Sequence, residues 1–169
     1  MKLSQLHLRH LFWLMLVLAL VPSTLLAEDK DAAVLKGAWK VTKATSNGKP
    51  DEEAVGGVYR FDADKTLEVF HATYQARLVF RVDVVQEPPT LVSYFFNPKF
   101  AGSGIYRLKG DTLRWRTSDK EQLLSFSTDP KGEWNEYHLT RLTDAEAKSA
   151  IERLTRERLL RKAKESDTE

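Results

Sequence analysis

Gly104-Ile105-Tyr106-Arg107-Leu108-Lys109-Gly110-Asp111-Thr112-Leu113-Arg114-Trp115-Arg116 is the stretch whose reading decides the fold. In its second half, Leu113 and Trp115 fall on one face of an extended chain and Arg114 and Arg116 on the other. Between the halves, Lys109-Gly110-Asp111 supplies a glycine for a tight reversal, so two short strands lie within hairpin range. A period of two interrupted by turn chemistry belongs to an antiparallel sheet.

The same rhythm extends outward from Lys36 to Leu142. Period-two or β-branched and aromatic runs are punctuated by turns every 8 to 12 residues, the pattern of an all-β sandwich or barrel. It predicts strands over Gly37–Ala44, Val58–Asp62, Thr66–Ala72, Gln75–Val85, Leu91–Phe96, Gly104–Lys109, Thr112–Thr117 and Glu133–Leu142. Ser46-Asn47-Gly48 permits positive φ, and Asp62-Ala63-Asp64-Lys65 is a tight polar connection. Pro88-Pro89 cannot donate to a ladder and must interrupt pairing. Leu78, Phe80, Val82 and Val84 should face the core, with Arg77, Arg81 and Asp83 opposite. Trp39 and Val41 share a face, as do Tyr137, Leu139 and Arg141, which places an arginine among apolar neighbours.

After Leu142 the period becomes helical. Thr143-Asp144-Ala145-Glu146 has the spacing of a capping box, in which hydroxyl and carboxylate satisfy each other's free amides. Ala147, Ala150, Ile151 and Leu154, then Leu159 or Leu160, form an apolar stripe on a charged helix expected over 143–165, followed by a frayed tail at 166–169. The stripe should dock on the β domain.

At the other end, Lys2 and Arg9 precede an apolar run from Leu11 to Val21, and Leu25-Leu26-Ala27 closes the segment. That order is a secretory signal peptide's. The unbroken run would rise about 17 Å as a helix, against a hydrocarbon core of about 30 Å. Cleavage after Ala27 leaves 142 residues: a lead-in at 28–35, the β domain at 36–142 and the tail helix. The product is expected to be soluble in the periplasm or outside the cell, with no stable membrane anchor. With no cysteine it cannot be a lipoprotein, nor can it carry disulfides, thiol nucleophiles or thiolate metal sites. Of the 26 Lys and Arg, Lys2 and Arg9 leave with the signal, so 24 cations balance 24 anions. A neutral domain lacks the cationic field that attracts nucleic acid or an anionic membrane.

Gly37-Ala38-Trp39 opens the first strand as a GxW motif, and Tyr137-His138-Leu139-Thr140-Arg141-Leu142 closes the last one with an inward arginine. Together with the hairpin rhythm and the following helix, these resemble the lipocalin or calycin plan. Leu35–Val41, Asn47-Gly48-Lys49-Pro50 and Gly104–Arg114 resemble more closely the lipocalin-like domain family abundant among exported planctomycete proteins. The chain departs from that pattern at Leu124-Ser125-Phe126-Ser127, where the family usually has Arg-Pro-x-Phe. The resemblance implies an antiparallel up-and-down barrel of about eight strands with a C-terminal helix. It also implies that Gly37, Trp39 and Arg141 close one barrel end, the guanidinium lying across the indole. It carries no established activity.

For a ligand site, the aromatic positions Phe61, Phe80, Phe95, Tyr106, Trp115 and Tyr137 are the candidates to line a barrel pocket. The alternative is that such residues fill the core. No catalytic residue, metal ligand or cofactor site is expected. His71 and His138 have no ligand spacing, Ser103 in Gly102-Ser103-Gly104 lacks the nucleophile-elbow pattern and reads as a loop leading into a strand, and the acids at 51–53, 62 and 64 lie on turns. Two functions fit: a non-enzymatic extracytoplasmic binder of a small apolar or amphipathic ligand, or a structural or protein-interaction module with a filled barrel, acting through its outer face or C-terminal helix on a partner the sequence does not name.

Overall fold

Eight antiparallel strands close on themselves because the first and last pair with each other. The computed structural model describes residues 32–84, 87–94, 101–118, 125–126 and 133–166. The segment Met1–Ala27 expected to be a signal peptide, the start of the lead-in, Phe95 and Phe96, Leu124 and the last three residues lie outside the described residues. A helical turn, α1 (32–35), leads into β1 (Gly37–Ser46) and the two-residue β2 (Lys49–Pro50). The strands β3 (Val58–Phe61), β4 (Thr66–Phe70), β5 (Gln75–Asp83) and β6 (Thr90–Tyr94) follow. Then come β7 (Ala101–Lys109), β8 (Thr112–Ser118), β9 (Asn135–Arg141) and the helix α2 (Asp144–Ser166). The order is β2-β1-β3-β4-β5-β6-β7-β8-β9, and β1–β9 pairing completes the barrel.

All eight expected strands form, each within a few residues of its expected bounds; β2 was not foreseen. The Gly102-Ser103-Gly104 segment is not a loop before a strand, as its glycines suggested, but part of β7. Gly104 is required there: a Cβ would lie 2.5 Å from the Arg116 carbonyl and 2.7 Å from Trp115 Nε1. The turns follow their chemistry, with Asn47 (φ 51°) and Gly48 (φ 76°) turning β1 into β2 and Gly110 (φ 55°) turning β7 into β8.

Alternation sorts the barrel wall as the side-chain period requires. Phe80 and Val82 are buried, Leu78 and Val84 pack partly buried against the same core, and Arg77 and Arg81 are exposed. In β1 the period is broken. The register shifts between Val41 and Lys43 opposite β9, a bulge at Thr42, whose hydroxyl donates to the His138 carbonyl at 3.0 Å. Without it Lys43 would follow Trp39 and Val41 inward. With it Ala44 does, 3% exposed, and Lys43 stays in water.

The helix α2 docks on the outside of β1, β3 and β4. Ala147 and Leu154 form a second core with the outward-facing Ala38, Val58 and Phe70, and Ala150 and Ile151 pack partly buried around it. Its start is a complete capping box: the Glu146 amide donates to Thr143 Oγ1 at 3.3 Å and the Thr143 amide to Glu146 Oε2 at 2.9 Å. The expected stripe stops short, because Leu159 and Leu160 are each 58% exposed. The helix runs to Ser166, past the expected end at 165.

Candidate functional site

One end of the barrel is plugged. Trp39, fully buried, donates its indole N–H to the Leu35 carbonyl in α1 at 2.7 Å. The Arg141 guanidinium lies 4.1 Å from the indole centroid and donates to the Lys36 and Val34 carbonyls, at 2.5 and 2.8 Å. Its Nε also reaches Asp111 at 3.2 Å. Gly37 takes φ 118°, and a Cβ there would stand 3.1 Å from Arg141 Nη1. The glycine therefore lets the cation cross the tryptophan while its N–H groups are held by the Val34 and Lys36 carbonyls and Asp111. Phe61 and Phe80, fully buried or nearly so, meet edge to face at 5.1 Å in the same core. Of the aromatic candidates, Phe61, Phe80, Tyr106 and Trp115 all belong to this one buried core and Tyr137 packs partly buried against it, whereas Phe95 lies outside the described residues.

Within the same core, and continuous with the plug through the Trp39–Tyr59 pair, a second grouping lies nearer the opposite end, beneath the connections at 47–57 and 71–74. Register aligns Ala44, Tyr137, Trp115 and Tyr106 across β1, β9, β8 and β7. Tyr59, Val69 and Ala76 align across β3, β4 and β5. The rings of Tyr59, Trp115 and Tyr137 meet at centroid distances of 5.8 to 6.0 Å. Ala44, Ala76, Ser93 and Gly104 are the small residues of the inner wall here, a contrast to the aromatic plug. Burial, and next the neighbouring Tyr137 and Tyr74 hydroxyls, push the Tyr59 pKa well above its usual 10.0, so the phenol stays neutral. Tyr74 stands half exposed at the rim, stacked on His71 at 4.9 Å. His71 Nε2 donates to the Glu53 carbonyl, joining the two rim connections.

The indole of Trp115 is 3% exposed, and its N–H has no hydrogen-bond partner among the described residues. It lies over Gly104, two residues closer to the rim along β7 than Tyr106, the cross-strand neighbour of Trp115. A buried donor left without an acceptor costs on the order of 1–3 kcal/mol. Interior charge is scarce around it. Among the described residues, the buried charged side chains are Arg116 and Glu136, and both belong to the outer face.

That outer face carries a second layer. Glu136 accepts two hydrogen bonds from Arg114 at 2.9 Å each, one from Arg116 Nε at 2.7 Å, and lies 2.9 Å from His138 Nε2. Burial is the largest influence on its carboxyl and would raise its pKa. The hydrogen bonds from Arg114, His138 and Arg116, with the Arg116 charge, outweigh it and bring the pKa down to about 2. Arg116 stacks on Trp134 at 4.4 Å, and Phe126 sits against Arg107, Arg114 and Arg116 at 5.1, 4.6 and 5.9 Å. Alternation marks Arg116 as outward, yet only 4% of it is exposed because Trp134 and Phe126 cover it.

Sequence reasoning placed Trp115 and Tyr137 together on the inner face. It passed over Tyr74, Trp134 and Glu136, whose roles depend on segments returning across the sheet. A shallow hollow of about 530 Å³ also opens on α2 beside Ile151, Thr155, Leu159 and Leu160. No protein-family model, no curated protein and no solved structure matches the chain.

Proposed function

We propose that the chain is a non-enzymatic, lipocalin-like binding module that works outside the cytoplasm and takes a small apolar or amphipathic molecule into its barrel. The observation that carries this reading is the contrast between the two ends. Trp39 and Arg141 seal one. At the other, the Tyr59–Trp115–Tyr137 cluster stands among small wall residues beneath a rim bearing the half-exposed Tyr74. Aromatic walls with a few polar groups are what recognise such ligands. The signal-like first 27 residues support the extracytoplasmic address.

The test is titration of the purified protein with N-phenyl-1-naphthylamine, a neutral apolar fluorophore. Saturable one-to-one binding is expected, weakened roughly tenfold or more by Ala76→Phe, which enlarges an inner-wall side chain. Leu159→Ser with Leu160→Ser should leave it unchanged. Absence of saturable binding, or binding lost with the two leucines instead, overturns the reading.

A second reading, a module acting through its C-terminal helix, is favoured by the exposure of Leu159 and Leu160. Truncation after Leu142 should then abolish partner capture, whereas a barrel binder should keep its probe affinity within a few-fold.

A further inference from the structure

From the unpartnered indole of Trp115 we infer that the barrel site selects neutral molecules bearing a hydrogen-bond acceptor, such as a carbonyl group, and that Trp115 Nε1 is the donor that reads it. This rests on the reading of the barrel as a binding module, and it adds the chemical class of the ligand.

Three observations converge. The first is the donor itself: an indole N–H, 97% withdrawn from solvent, without an acceptor among the described residues. The buried indole of the plug, Trp39, shows what a satisfied one looks like, at 2.7 Å from the Leu35 carbonyl. Indole nitrogen only donates, so what completes Trp115 must be an acceptor.

The second is the residue against which the nitrogen packs. Gly104 faces Nε1, and any larger residue would place its Cβ 2.7 Å away. The indole edge thus packs on glycine backbone, and residue 104 offers the N–H no side-chain acceptor, in the half of β7 nearer the rim.

The third is charge. Arg116 and Glu136, the buried ions among the described residues, neutralise each other outside the wall. Arg141 is committed to the plug, to the Val34 and Lys36 carbonyls and to Asp111. A carboxylate or sulfonate brought beside Trp115 would meet Tyr59, held neutral by burial, and Tyr137; among the described residues the one buried cation is Arg116, which lies on the outer face. Burying an unpaired ion is far costlier than burying a carbonyl that receives one hydrogen bond. The site therefore discriminates against anions and rewards a neutral acceptor.

The experiment compares three naphthalene fluorophores of similar size. 6-Propionyl-2-(dimethylamino)naphthalene is neutral with a carbonyl, N-phenyl-1-naphthylamine is neutral without one, and 8-anilino-1-naphthalenesulfonate is anionic. Trp115→Phe retains a ring and removes the donor. The variant should weaken the propionyl probe about tenfold, the worth of one buried hydrogen bond, and leave N-phenyl-1-naphthylamine within about twofold. The sulfonate should bind the unaltered protein more weakly than either. Independently of any variant, the propionyl probe should shift the Trp115 indole N–H proton resonance downfield in ¹⁵N-labelled protein, with the Trp39 indole unmoved. Equal effects of Trp115→Phe on both neutral probes, or an indole resonance that ignores the carbonyl probe, overturn the inference while leaving the binding module standing. If N-phenyl-1-naphthylamine and the propionyl probe both fail to bind the unaltered protein, the binding reading and the inference fall together.

Discussion

Replacing Glu136 by glutamine should destabilise the protein by about 3 kcal/mol at neutral pH, and the loss should vanish in acid. The side chain is only 8% exposed and its carboxylate holds Arg114, Arg116 and His138. Its pKa falls from the 4.5 of an ordinary glutamate to about 2 in the folded state. A drop of that size corresponds to about 3 kcal/mol of stability that depends on ionisation. Because the folded value is the lower one, the contribution is complete above the unfolded value of 4.5 and is lost as pH falls toward 2. An independent argument gives a similar size. Glutamine leaves the Arg116 guanidinium, 4% exposed, without a countercharge, and breaking a buried pair from one side costs roughly 3–5 kcal/mol. Urea unfolding of both proteins at pH 7, 5, 4 and 3 measures the difference. The gap should hold from pH 7 to about 5 and shrink progressively below it. A gap that stays constant across this range, or that is under about 1 kcal/mol at pH 7, would refute the assignment of Glu136 as the ionic anchor of the outer layer.

Three further outcomes are expected. Trp39→Ala empties a fully buried position and frees the Arg141 guanidinium above it, so unfolding free energy should fall by roughly 3–5 kcal/mol; an unchanged denaturation midpoint would dismiss the plug. Leu154→Ala, at the centre of the helix–barrel contact, should cost about 2–4 kcal/mol, whereas Leu159→Ala should stay within about 0.5 kcal/mol; equal losses would contradict the docking geometry. N-terminal sequencing of exported material should begin at Glu28, and recovery of intact Met1 from washed membranes would contradict cleavage.

Much of the barrel is written in local pattern. Leu113 and Trp115 against Arg114 and Arg116, or Phe80 and Val82 against Arg81, assign strand and face together, since a period of two has only one regular backbone to match. Thr143 and Glu146 announce the start of α2 because capping is a contact between residues three apart. The candidate site was legible only in part. Trp115 and Tyr137 could be placed on inner faces, but that the indole nitrogen lies unpartnered over Gly104 follows from the pairing of β7 with β8.

What the chain determines by itself is therefore whatever neighbours in sequence decide: strands, turns, a capped helix and the identities of the inward residues. Tertiary structure alone decided where regularity yields. The bulge at Thr42 exchanges Lys43 for Ala44 on the inner wall, a choice made by the register with β9 rather than by β1. Arg116 is outward by period and buried in fact, because Trp134 and Phe126 return across the sheet to cover it and Glu136 on the adjacent strand neutralises it. Alternation says which way a side chain points; only the distant segments that fold over it determine whether it meets water.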